Sequence, residues 1–104
     1  MIYVSLSVEK KIREKHGVTI KEVHECFQNR TGCLVMDERE RHRTWPPSEW
    51  FIAETDRRRV LKVVFIVEDD ESIPVKTAYE PSNREEEIYA DHCRWNTTRE
   101  EFRA

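Results

Sequence analysis

The sequence predicts an α+β domain: two N-terminal helices, an antiparallel sheet of about four strands, and a closing C-terminal helix. Two capping boxes, Thr19-Ile20-Lys21-Glu22 and Ser82-Asn83-Arg84-Glu85, open helical patterns in the two halves of the chain. Between them, residues 60–67 form a β-branched run whose only charge is Lys62, flanked by strand-like runs at 50–55 and 73–79. The links between these runs, Asp56-Arg57-Arg58-Arg59 and Glu68-Asp69-Asp70-Glu71-Ser72, are short and polar, as hairpin connections are.

Residues 2–6 read as a short strand. Ser7 then caps a helix through Val8, Ile12 and His16, and Gly17 supplies the left-handed residue that ends it. Val18 and Val23 flank the Thr19 cap at the spacing of a hydrophobic staple. Ile20, Val23 and Phe27 lie on one face of a helix that reaches residue 28 or 29, and Arg30-Thr31-Gly32 breaks it. Cys33-Leu34-Val35-Met36 is a short apolar strand, followed by a charged loop that Pro46-Pro47 closes. In the run 60–67, Leu61, Val63, Phe65 and Val67 alternate with Val60, Lys62, Val64 and Ile66, so both faces are covered and the strand is central. Glu85, Glu86 and Glu87 fill the first turn of the last helix, where the dipole favours them, and Ile88, Tyr89, His92 and Trp95 form its inner side. Residues 1–95 make one domain, and 96–104 a polar tail.

Composition narrows the function. Of 104 residues, 38% are hydrophobic and 38% charged, so the core is compact and drawn from short apolar runs. No segment approaches the ~20 apolar residues that span a bilayer. The opening stretch is too short, and lacks the basic flank, for a signal peptide. Cys26, Cys33 and Cys93 are odd in number and widely spaced, which predicts three partly buried free thiols in a reducing cytoplasm. His24, Cys26, Cys33, His92 and Cys93 offer donors for zinc, but not at standard ligand spacing. No cofactor is expected. The net charge of −3 argues against a general nucleic-acid binder, although residues 38–62 carry seven Lys/Arg against five acids.

Four stretches resemble one family, the BrnT-type toxins of bacterial toxin–antitoxin pairs. They are Glu14-Lys15-His16-Gly17-Val18, the run from Val23 to Phe27, the two strands containing Trp50-Phe51-Ile52-Ala53 and Val63-Val64-Phe65, and Ile73-Pro74-Val75-Lys76-Thr77-Ala78 with Glu86 and Tyr89 after it. The likeness covers residues 4–90. It implies a RelE-like fold, and a metal-independent endoribonuclease that arrests translation and is held in check by a cognate antitoxin. Two positions depart from the pattern: Trp50 and Tyr79 stand where the family carries arginine.

Cleaving RNA without metal requires a base for the 2′-hydroxyl, an acid for the leaving oxygen, and fixed positive charge at the phosphate. His42, of the residue type that can titrate near neutral pH, has Arg39, Arg41 and Arg43 around it in sequence, with Trp45 and Trp50 as candidate stacking rings. Lys62 is a lone cation in an apolar strand, a placement that is costly unless the side chain snorkels or faces a site. Tyr79 is a proton donor or a packing residue. The candidate catalytic set is therefore His42, Lys62, Tyr79 and Glu80, with Arg39, Arg43, Arg58, Arg59 and Lys76 for RNA. Strand alternation puts Lys76 and Glu80 opposite Tyr79 unless a bulge re-aims them. A ribonuclease neutralised by an antitoxin is the leading reading. A non-catalytic protein- or RNA-binding module on the same fold is the alternative, motivated by the two absent arginines and the net acidity.

Overall fold

The computed structural model describes residues 1–37 and 45–103, with the side chains of the last helix described as far as Arg94. The elements in order are β1 (Ile2–Tyr3), α1 (Leu6–His16), α2 (Ile20–Asn29), β2 (Val35–Met36), β3 (Ser48–Glu54), β4 (Val60–Ile66), β5 (Ile73–Tyr79) and α3 (Asn83–Arg103). The fold is α+β, as the sequence predicts. The sheet has five strands in the order β1-β5-β4-β3-β2; β1 runs parallel to β5 and the other pairs are antiparallel.

The helix starts and stops follow local chemistry. Ser5, not Ser7, caps α1, accepting the Val8 N–H at 3.3 Å; the Ser7 hydroxyl lies 3.2 Å from that of Ser5, inside the first turn. Either serine can cap, and the earlier one adds a backbone bond from Glu9 to Ser5. Gly17, at φ 62°, ends the helix, with Gly17 N–H bonding Arg13 O and Val18 N–H bonding Ile12 O. At α2 the Thr19 N–H donates to Glu22 Oε1 at 3.0 Å, and the Glu22 N–H donates to Thr19 Oγ1 at 3.1 Å. Val18 and Val23 on either side of that cap are fully buried.

β4 is central. Its register pairs Phe51 with Val63, Ala53 with Leu61 and Val63 with Ala78, so these side chains share one face. There they meet Ile12, Val23 and Cys26 of the two N-terminal helices. The Phe27 ring stands edge-on to Phe51 at 4.9 Å and to Phe65 at 5.5 Å between centroids. The opposite face carries Trp50, Ile52, Lys62, Val64, Thr77 and Tyr79, and α3 lies across it. A register shift after Val64 pairs Phe65 with Val75 and Val64 with Thr77, which leaves Lys76 as the extra, exposed residue. This bulge lets Val75 and Ala78 both reach the core although three positions separate them.

Three expectations change. The cysteines are not three free thiols: Cys33 and Cys93 form a disulfide with Cα atoms 5.4 Å apart, and Cys26 alone is free and buried. Spacing hid the pair because 60 residues separate its members. β2 starts at Val35 rather than at Cys33, because the Cys33 N–H and carbonyl both turn to α3. Residues 96–103, read as a polar tail, continue α3.

Candidate binding site on the outer sheet face

The outer face is organised by one carboxylate. Ser82 caps α3, with the Glu85 N–H donating to Ser82 Oγ at 3.1 Å and the Ser82 N–H donating to Glu85 Oε1 at 3.0 Å. The box fixes the Glu85 side chain and leaves Oε2 aimed at the sheet. That oxygen accepts from Lys62 Nζ at 2.7 Å and from the Tyr79 hydroxyl at 2.9 Å. Lys62 is 5% exposed and its ammonium also lies over the Trp50 ring, 4.4 Å from the centroid, so a carboxylate and an aromatic face replace the lost water. Lys62 and Tyr79 meet because they are direct register partners on β4 and β5.

These contacts set the protonation states. Burial pushes the Glu85 carboxyl up, but the hydrogen bonds from Lys62, the Ser82 amide and Tyr79 outweigh it and hold it at about 2. Burial, then the bond to Glu85, raises the Tyr79 phenol against the opposing pull of Lys62. At neutral pH Glu85 is therefore a carboxylate and Tyr79 a neutral phenol.

One turn further on, Tyr89 donates its hydroxyl to the Cys33 carbonyl at 2.7 Å and lays its ring 5.6 Å from that of Trp50. Gly32 makes room: any Cβ there would overlap the Tyr89 hydroxyl. Another turn on, Cys93 is bonded to Cys33. Beside this line a groove of about 370 Å³ opens between β2, β3 and α3, lined by Val35, Met36, Asp37, Trp50, Lys62, Glu85 and Ile88.

The sequence-predicted site residues separate into distinct groups. Lys62 and Tyr79, two of the candidate catalytic residues, come together on Glu85. His42, Arg39 and Arg43 lie outside the described residues, as does Arg41. Glu80 is elsewhere, accepting from Arg59 Nε at 2.9 Å. Arg59 also donates to both Glu22 oxygens at 3.2 Å, to Gly17 O at 2.8 Å and to His16 O at 3.0 Å. Burial opposes its charge, but Glu80 and Glu22 raise its pKa above the usual value; the guanidinium clamps the α1–α2 corner. Arg58 is exposed on the β3–β4 turn, and Lys76 is exposed at the bulge. Trp45 is 92% exposed, while Trp50 is buried in the cluster. Among the described residues no group of His, Cys, Asp and Glu is placed to hold a metal ion.

Sequence reasoning placed Tyr89 on the inner side of the last helix but did not single out Glu85 or the cysteine pair for this face. A signal for Glu85 existed: a lone lysine in an apolar strand calls for an acid, and the capping box fixes one carboxylate rigidly. No family model and no curated protein matches the chain.

Proposed function

We propose that the chain is a non-catalytic binding module on a BrnT-like frame, working in the cytoplasm, whose groove beside Trp50 receives a protein partner of the antitoxin kind. The observation that carries this reading is the Lys62–Glu85 pair. The buried cation facing the groove is neutralised at 2.7 Å, so it offers little net charge to a phosphodiester. A carboxylate held at about 2 is about five pH units from the pKa near 7 that suits a general base. Among the described lining residues the formal charges are Lys62 against Asp37 and Glu85, one negative charge in excess. The remainder is apolar: Val35, Met36, Trp50 and Ile88. Such a groove suits a segment that presents an apolar side chain beside a basic one.

The test uses the purified chain and the protein encoded by the neighbouring reading frame. A stable complex is expected, weakened at least about tenfold by Met36→Glu or Ile88→Glu, with added RNA left intact at every protein concentration. Met36 and Ile88 suit the test because they are 49% and 43% exposed, so the folded body tolerates the change. Weak dependence on salt accompanies a protein contact, whereas phosphate contacts weaken steeply.

A second reading is the metal-independent ribonuclease, and one observation favours it: a phenol, an ammonium and a carboxylate converge beside an open groove. On that reading Tyr79 is the acid, Lys62 stabilises the phosphate once a substrate draws it from Glu85, and His42 supplies the base. RNA cleavage that survives chelation of metals and is lost in both Tyr79→Phe and His42→Ala establishes it and ends the first reading.

A further inference from the structure

The residues of α3 that face the sheet fall at Glu85, Tyr89 and Cys93, one helical turn apart each time. Each is attached to the rest of the fold by specific contacts. Glu85 takes Lys62 and Tyr79, Tyr89 takes the Cys33 carbonyl and the Trp50 ring, and Cys93 takes Cys33 itself. The last two attachments end on one residue, Cys33, which lies two residues before the edge strand β2. Ile88, the apolar residue of this part of the helix, is exposed at the groove and not packed into a core. Among the described residues, the distal part of α3 is thus held by a covalent bond and one hydrogen-bonded ring.

Both bonded cysteines are half-buried, so a reductant can reach them; the third, Cys26, is completely buried. Burial, then Glu22 and Glu25, pushes the Cys26 thiol up to about 12, so it neither attacks the disulfide nor competes for the reductant. In a reducing compartment a bond of this kind is reversible rather than permanent.

We propose that Cys33–Cys93 is a thiol–disulfide exchange site that fastens α3 over the outer sheet face, and that its reduction by a cellular dithiol frees the helix from Tyr89 onward and widens the groove beside Trp50. The attacking thiolate bonds one sulfur and expels the other as a thiolate, which takes up a proton. The second thiol of the reductant then displaces the remaining protein sulfur. Two electrons and two protons pass to Cys33 and Cys93, and the reductant leaves as its own disulfide. The capped first turn stays in place, since Glu85 keeps its bonds to Ser82, Lys62 and Tyr79. Control of partner access rests on the groove being the binding site; the opening of the helix does not.

Hydrogen–deuterium exchange on the full chain, oxidised and after dithiothreitol, tests the opening with no partner present. Reduction is expected to speed exchange at residues 89–103 by about tenfold or more, with β3 and β4 unchanged. Cys93→Ser is expected to match the reduced chain under both conditions. Equal exchange in the two states overturns the proposal. So does uniform acceleration across the chain, which makes the bond a global staple. So does finding Cys33 and Cys93 alkylatable after exposure to glutathione disulfide. Failure of partner capture in the earlier test, with the exchange result intact, removes the groove's role and leaves the exchange site standing.

Discussion

Replacing Glu85 by glutamine tests the centre of the site. The substitution keeps the shape and an oxygen for the Ser82 amide but leaves Lys62, 5% exposed, without its counter-charge. Two routes give the magnitude. A carboxyl held at about 2 against an ordinary 4.5 is worth, at ~1.4 kcal/mol per pH unit, about 3 kcal/mol. Removing one member of a buried ion pair costs ~3–5 kcal/mol, and the low end applies because the Glu85 side chain is 24% exposed. The sign is fixed by the depressed value: the contribution is complete above the unfolded pKa and is lost as pH falls through 4.5 toward 2. Urea unfolding of the wild type and Glu85→Gln is therefore expected to differ by about 3 kcal/mol at pH 7, with the gap closing by pH 2. Lys62→Met in the Glu85→Gln background is expected to recover most of the loss, since it removes the stranded charge while the Trp50 ring still has a side chain to pack on. A gap below about 0.5 kcal/mol at pH 7, or one that does not change with pH, refutes the pairing as the organiser of this face.

Two further substitutions test the frame. Arg58 sits at φ 67° in the turn between β3 and β4, a left-handed position that strains any residue with a Cβ; Arg58→Gly is expected to raise the unfolding free energy by about 1 kcal/mol, read as a higher urea midpoint, and an unchanged or lower midpoint counts against the strain. Arg59→Ala removes the bonds to His16 O and Gly17 O together with both carboxylate pairs, so a loss of about 2 kcal/mol is expected, with faster amide exchange at the α1–α2 corner as the local readout.

The sequence exposes features whose cause is local. Thr19 with Glu22, and Ser82 with Glu85, announce their helices because each box closes within four residues. β5 matches its predicted limits because the turn at 68–72 precedes it and Pro81 follows it. Lys62 is visible as an anomaly, a cation in an apolar strand. Its partner is only half visible: the capping box marks Glu85 as the rigid one of three adjacent acids, but the rotation of α3 that aims it at Lys62 is not written locally. That rotation is set by Cys33, 60 residues before Cys93, and by Tyr89 passing over Gly32. It turns Ile88 outward, against the inner side expected from hydrophobicity alone. The cysteine pairing left no trace in spacing, and the same contact fixed both the helix phase and the identity of the site.

The two faces of the sheet are covered by different physics. The face under α1 and α2 is sealed by apolar side chains, with Ile12, Val18, Val23 and Phe51 fully buried, and uncovering it means returning that area to water. The face under α3 is held by an ion pair, a tyrosine hydroxyl and a disulfide, each of which can be exchanged for another partner or broken by a specific reagent. Opening the first face is unfolding. Opening the second can be a local event, because among the described residues the β4–β5 register and the buried core cluster include no residue of α3. A surface that must bind and release a partner is more economically built on the second kind of contact. The groove beside Trp50 lies on that face.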